Sequence, residues 1–120
     1  MEKIAITASE LSLEAQVDAR FGRASYFLLI NPEIMDFEAV PNQQNLQAAQ
    51  GAGIQAAALV ARCKPSALLT GYCGPKAFHT LQAAGIEVIV EVAGSVREAV
   101  QQFRSGKLSP AAGPNAASHW

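Results

Sequence analysis

The chain opens on a short apolar, β-branched run, Lys3 to Ala8 (KIAITA), followed by a polar stretch, as a first well-buried strand requires. Residues 9 to 24 show no apolar period and read as a long polar loop. Ser25 to Ile30 (SYFLLI) predicts a second strand, and Ile34 to Val40 (IMDFEAV) alternates apolar and polar positions like a third. Asn31-Pro32-Glu33 between them has turn composition, so the pair is expected to form an antiparallel hairpin. After Pro41 the period changes. Leu46, Ala49, Gly53, Ala56, Ala57 and Val60 recur at steps of three or four among alanines, predicting a helix from about Ala49 to Cys63.

Ala67 to Thr70 (ALLT), bounded by Pro65 and Gly71, is too short for a helix and fits a buried strand. A glycine turn, Gly71-Tyr72-Cys73-Gly74, then leads into Lys76 to Ala84, with Pro75 at the first helical position and Gly85 just past the end. Ile86 to Val92 (IEVIVEV) alternates over its whole length and predicts a further strand. Ser95 and Glu98 form a capping-box pair at the head of a last helix, Ser95 to Arg104. A hairpin followed by two βα units implies an α/β domain: a five-stranded mixed sheet, helices on both faces, and the hairpin extending one side. Beyond Gly106 the composition turns to Ser, Pro, Ala, Gly and Asn, so the reading divides the chain into one domain, 1–106, and a flexible tail, 107–120.

At 120 residues, half of them apolar, the chain has room for one core and no second domain. Nine basic against ten acidic side chains give a net charge of −1, which leaves no broad basic surface for nucleic acid. The charged N-terminus carries no apolar run long enough for a signal peptide or a membrane span, and a cytoplasmic protein is expected. Two cysteines, Cys63 and Cys73, do not make a disulfide framework, and with His79 and His119 isolated they do not make a structural zinc site.

In open α/β sheets ligands bind beyond the carboxyl ends of the parallel strands, so chemistry is sought in the loops there. Thr70-Gly71-Tyr72-Cys73-Gly74-Pro75 is the strongest local signal: its glycines allow positive φ or close backbone approach, its N–H groups can meet an anion at a helix N-terminus, and Lys76 adds positive charge. Glycine and proline also suit any strand-to-helix turn. The spacing is not that of a P-loop, and triphosphate hydrolysis is not supported. Cys73 in that setting is expected to have a lowered thiol pKa, suited to soft-metal ligation or redox chemistry, unless it merely fills the turn; Cys63 is assigned to packing. A second signal is Arg20-Phe21-Gly22-Arg23, two guanidinium forks beside an aromatic residue that serves as a loop anchor or a ligand contact. The arginines could equally be a solvated pair, or one could pair with Asp18. Gly51 and Gly53 offer another helix start, with Asn42 and Asn45 as caps, or else simply allow close helix–sheet packing. His79, within a helix, could ligate a metal if it faced the turn. No nucleophile with a base and no converging carboxylate pair is present, so an enzyme is not expected.

Taken in order, KIAIT, VDARFGRASYFLLI, GAGI and LLTGYCGPKAFHTLQAAGIEVIV resemble the dinitrogenase iron-molybdenum cofactor biosynthesis family over roughly Lys3 to Arg104. The resemblance implies a ribonuclease H-like fold and a carrier or scaffold for an anionic metal-sulfur cluster, either of the iron-molybdenum cofactor type or a molybdenum-copper sulfide held without conventional covalent anchoring. Carried onto this chain, the ligand-facing loops are Arg20 to Arg23, Asn42 to Gly53 and Thr70 to Pro75, with Lys76; Cys73 or His79 would be the direct metal ligands, if any. Relatives also occur with P-loop ATPases of the cell-division type, which makes such a partner an implied one. Two other readings stay open: a nucleotide- or small-molecule-binding regulatory module using the same glycine turns, and a redox enzyme centred on Cys73.

Overall fold

A computed structural model describes residues 3–42 and 52–116. The strands are β1 (Ile4–Ala8), β2 (Tyr26–Asn31), β3 (Asp36–Pro41), β4 (Ala67–Leu69) and β5 (Glu87–Ile89), and the helices are α1 (Ala52–Cys63), α2 (Pro75–Ala83) and α3 (Val96–Arg104). They build one five-stranded sheet in the order β3-β2-β1-β4-β5. β1 is antiparallel to β2 and β2 to β3, while β1, β4 and β5 run parallel. The expected hairpin therefore does extend one side of a parallel βα core, with β1 as the hinge between the two halves.

Strand alternation sorts the apolar side chains onto two faces. Ala5, Phe27, Leu29, Leu68 and Val88 face one way and pack with Ala56, Ala57 and Val60 of α1 and Ala77, Phe78 and Leu81 of α2. Ile4, Ile6, Leu28, Ile30, Leu69 and Ile89 face the other way and meet Val96, Ala99 and Val100 of α3. Helices thus cover both faces, and no helix among the described residues is long and apolar enough to cross a membrane.

Local signals account for the helix ends. Pro75 stands at the start of α2. Ser95 Oγ accepts the Glu98 N–H at 3.1 Å, and Glu98 Oε1 accepts the Ser95 N–H at 2.9 Å, closing the capping box of α3. β5 is shorter than its alternating sequence suggests. Only Glu87–Ile89 pairs, because its one neighbour, β4, offers three residues, and the chain then breaks at Glu91, which is left-handed at φ 62°.

The long polar loop has no helix or strand of its own, yet backbone bonds fix it at both ends. Val17 N–H donates to Gly94 O and Asp18 N–H to Thr7 O, each at 2.9 Å. The first-turn N–H groups of Val96 and Arg97 donate back to Ala15 O and Leu13 O, so the head of α3 is fully engaged by the protein itself. Residues 107–116 also lie against the domain. Ala111 N–H donates to Val88 O at 2.7 Å along the outer edge of β5, and Asn115 reaches the glycine turn.

Candidate functional site

The carboxyl ends of β1 and β4 lie side by side, and the loop that leaves β1 is drawn against the turn that leaves β4. Tyr72 N–H donates to Ala19 O at 2.6 Å, and Phe21 N–H donates to Tyr72 O at 3.1 Å, a one-residue parallel bridge between the arginine loop and the glycine turn. The two strongest sequence signals, separate along the chain, thus form one surface. Gly71 makes that contact possible. A Cβ there would stand 2.7 Å from both the Cα and the carbonyl oxygen of Ala19, closer than real contacts allow. The need is for space and not for positive φ: Gly71 is absent from the left-handed positions, and Gly74 has φ −75° and ψ 169°, which any residue can adopt.

Beneath the bridge, buried hydroxyls tie the strand ends together. Thr7 Oγ1 donates to Asp18 O at 2.7 Å, and the Thr7 and Thr70 hydroxyls are 3.0 Å apart, so the Thr70 proton completes the chain. The Asp18 carboxylate accepts the backbone N–H of Arg20 at 3.0 Å, shaping the loop. Phe21 is fully buried, its ring 5.3 Å from that of Phe27, and it anchors the loop in the α1–α2 core instead of facing a ligand.

Two of the polar candidates are buried and bonded within the domain. Asn42 is wholly buried, and its amide donates to Gly22 O at 3.3 Å and Ala24 O at 2.9 Å, so it braces the arginine loop from below. Thr70 is likewise buried in its hydroxyl pair, and Gly22, Gly71 and Gly74 contribute backbone alone. Asn45 and Gly51 lie outside the described residues, whereas Gly53 sits half-buried in the first turn of α1. Because α1 leads into the start of β4, its head lies at the same end of the sheet as the glycine turn.

Cys73 departs furthest from expectation. The sequence setting suggests a lowered thiol pKa, but the side chain is 0% exposed within the α1–α2 core, and desolvation pushes its pKa up to about 12. A neutral buried thiol is a weaker ligand and nucleophile than the thiolate that the sequence setting suggests. Cys63 is also raised, first by burial and then by the Glu38 charge. Iodoacetamide at pH 8 is therefore expected to leave Cys73 unmodified in the folded protein and to label both thiols once denaturant is added, as peptide mass analysis would show. The same shift sets an alkaline limit. Its contribution to stability is intact below the unfolded thiol's pKa of about 9 and is lost as pH climbs towards the folded value.

His79 is exposed on α2, its ring edge-on to Phe78 with centroids 6.1 Å apart. Among the described residues no group of three or more His, Cys, Asp or Glu side chains converges to hold a metal ion. The exposed groups at the bridge are instead Arg20, Tyr72 and Lys76, with Arg23 and Pro75 partly exposed. They adjoin the N-terminus of α2, whose cap residue Gly74 supplies no side-chain bond, in contrast to the fully engaged head of α3. Such a surface offers positive charge, an aromatic face and a helix dipole, but no protein ligand set.

Comparison with known proteins matches this architecture. The apo form of the orange protein from Desulfovibrio gigas is 46% identical, the alignment covering 97% of this chain and 98% of that one with a TM-score of 0.93. A putative NifB protein from Thermotoga is 32% identical over 92% of this chain and 93% of its own, with a TM-score of 0.77. An uncharacterized protein of Methanocaldococcus jannaschii is 29% identical over 96 residues, 78% of this chain and 80% of that protein. The dinitrogenase iron-molybdenum cofactor family model matches residues 2–106, which contain every strand and helix described above, and the chain belongs to that family.

Proposed function

We propose that this protein is a non-catalytic carrier of an anionic metal-sulfur cluster, held against the surface where the arginine loop meets the glycine turn. The observation that carries this reading is the backbone bridge between Ala19–Phe21 and Tyr72, which sets Arg20 beside the turn that leads to Lys76 and the head of α2. A preassembled cluster whose sulfides are already bonded to its metals needs charge compensation and hydrogen-bond donors more than protein thiolates. This surface has the former and lacks the latter. Tyr72, 44% exposed, adds an aromatic face that suits polarizable sulfur. A similar protein of Desulfovibrio gigas is known in an apo form, which supports a bound state for this type of chain. The strand order, with its antiparallel hairpin beside three parallel strands, also supports a ribonuclease H-like fold.

The cargo is proposed to be a molybdenum-copper sulfide or a cluster of the iron-molybdenum cofactor type. Anaerobic reconstitution with tetrathiomolybdate, with and without copper, followed by desalting, tests this. The expected result is a visible chromophore with molybdenum and copper retained at fixed stoichiometry. A colourless protein that instead binds nucleotide without metal would move the same surface to a regulatory nucleotide-binding role.

A further inference from the structure

We infer that Asn115, beyond the family-matched region, is the positioning residue of the cargo-binding turn. This inference rests on the carrier reading. The turn residues Gly71 to Cys73 behave as a short extended segment with two edges. Tyr72 turns its N–H and carbonyl towards Ala19 and Phe21, while the Gly71 carbonyl and both polar groups of Cys73 turn to the opposite side. Asn115 occupies that opposite side. Its Oδ1 accepts the Cys73 N–H at 2.8 Å, its Nδ2 donates to Gly71 O at 3.0 Å, and its own N–H donates to Cys73 O at 3.2 Å. The side-chain amide thus takes the place of a peptide group in a neighbouring strand, and the turn is held from both edges.

Residues 107–116 form a strap along the domain, and upstream of Asn115 it packs Leu108 and Ala111 against the two cores. Ala111 N–H donates to Val88 O of β5, and a cleft of about 230 Å³ is lined by Pro110 and Ala111 on the strap side and by Phe78 and Ile86 on the other. The three bonds of Asn115 therefore fix the strap to the turn, and equally fix the turn. Gly71 O also accepts the Glu91 N–H at 2.8 Å, so the segment that leaves β5 and the strap converge on the same carbonyl. Without the Asn115 side chain, the Cys73 N–H loses its acceptor and Gly71 O one of its two donors, so one edge of the turn is released while the Ala19–Phe21 edge stays bonded, and Tyr72 and the α2 N-terminus are held less firmly. The cargo would then meet a turn that must first be ordered, and binding weakens by the fraction of time the turn is out of place.

The test compares wild type, Asn115→Ala and Ala111→Pro. Ala111→Pro removes the donor to Val88 and loosens the strap while leaving the Asn115 side chain intact. Each is followed by melting temperature, by hydrogen exchange of the Cys73 amide, and by titration with tetrathiomolybdate and copper monitored in the visible spectrum and at the amide resonances of Lys76 and Ala77. Asn115→Ala is expected to stay folded with a melting temperature lowered by about 4–8 °C, to speed Cys73 exchange, and to weaken cargo binding at least about tenfold. Ala111→Pro is expected to show a smaller change in the same direction. Wild-type affinity and resonance shifts in Asn115→Ala would overturn the positioning role and leave the carrier reading standing. Failure of wild type itself to bind would overturn both.

Discussion

Replacing Phe21 with alanine is expected to lower stability by about 3–5 kcal/mol, a large share of the 5–15 kcal/mol typical of a small domain. The ring is fully buried against Phe27 and shares its core with α1, α2 and Cys73, so its loss leaves a cavity that the surrounding sheet and helices cannot close. It is also the buried anchor between Arg20 and Arg23. Urea unfolding would measure the loss, and Phe21→Leu, which keeps most of the volume, should recover the greater part of it. An effect below about 1 kcal/mol for the alanine variant would mean that the loop is not anchored through this ring.

Gly71→Ala is the second large effect, and its character differs. The added methyl cannot fit 2.7 Å from the Ala19 backbone, so the loop must move away from the turn. The overpacking cost is about 1–3 kcal/mol. Cargo retention should suffer more than stability, because the same displacement breaks the Tyr72-to-Ala19 and Phe21-to-Tyr72 bonds that assemble the surface. Gly113→Ala provides the contrast, since a Cβ there meets nothing within 4 Å and should change neither property. A Gly71→Ala protein that carries cargo as well as wild type would show that the bridge is dispensable.

The sequence was informative wherever structure is set by neighbours along the chain. The hairpin, both βα units, Pro75 at the head of α2 and the Ser95–Glu98 box follow from local period and cap chemistry, and all are present. What stayed hidden depends on groups far apart in sequence. Asn42 bonds to carbonyls 18 and 20 residues earlier, a link that no local pattern signals. Thr7 has no polar signature inside an apolar strand, although its hydroxyl joins Asp18 to Thr70. The charges beside Cys73 suggest a lowered thiol pKa, whereas its burial in the core shared by the sheet and two helices decides its state. Asn115 sits in a stretch whose composition gives no period, and its partners lie 42 and 44 residues upstream. The loop and the turn could each be picked out as candidates, but their union required the sheet order that puts β1 beside β4.

That union is the central claim, and removing its charge without disturbing its backbone tests it most directly. Wild type and the triple variant Arg20→Gln, Arg23→Gln, Lys76→Gln would be reconstituted side by side with tetrathiomolybdate and copper, desalted, and assayed for metal content, with melting temperatures recorded for both. Stoichiometric metal on wild type, and loss of most of it from a variant that still melts like wild type, is the predicted result. Equal retention by the two proteins would contradict it.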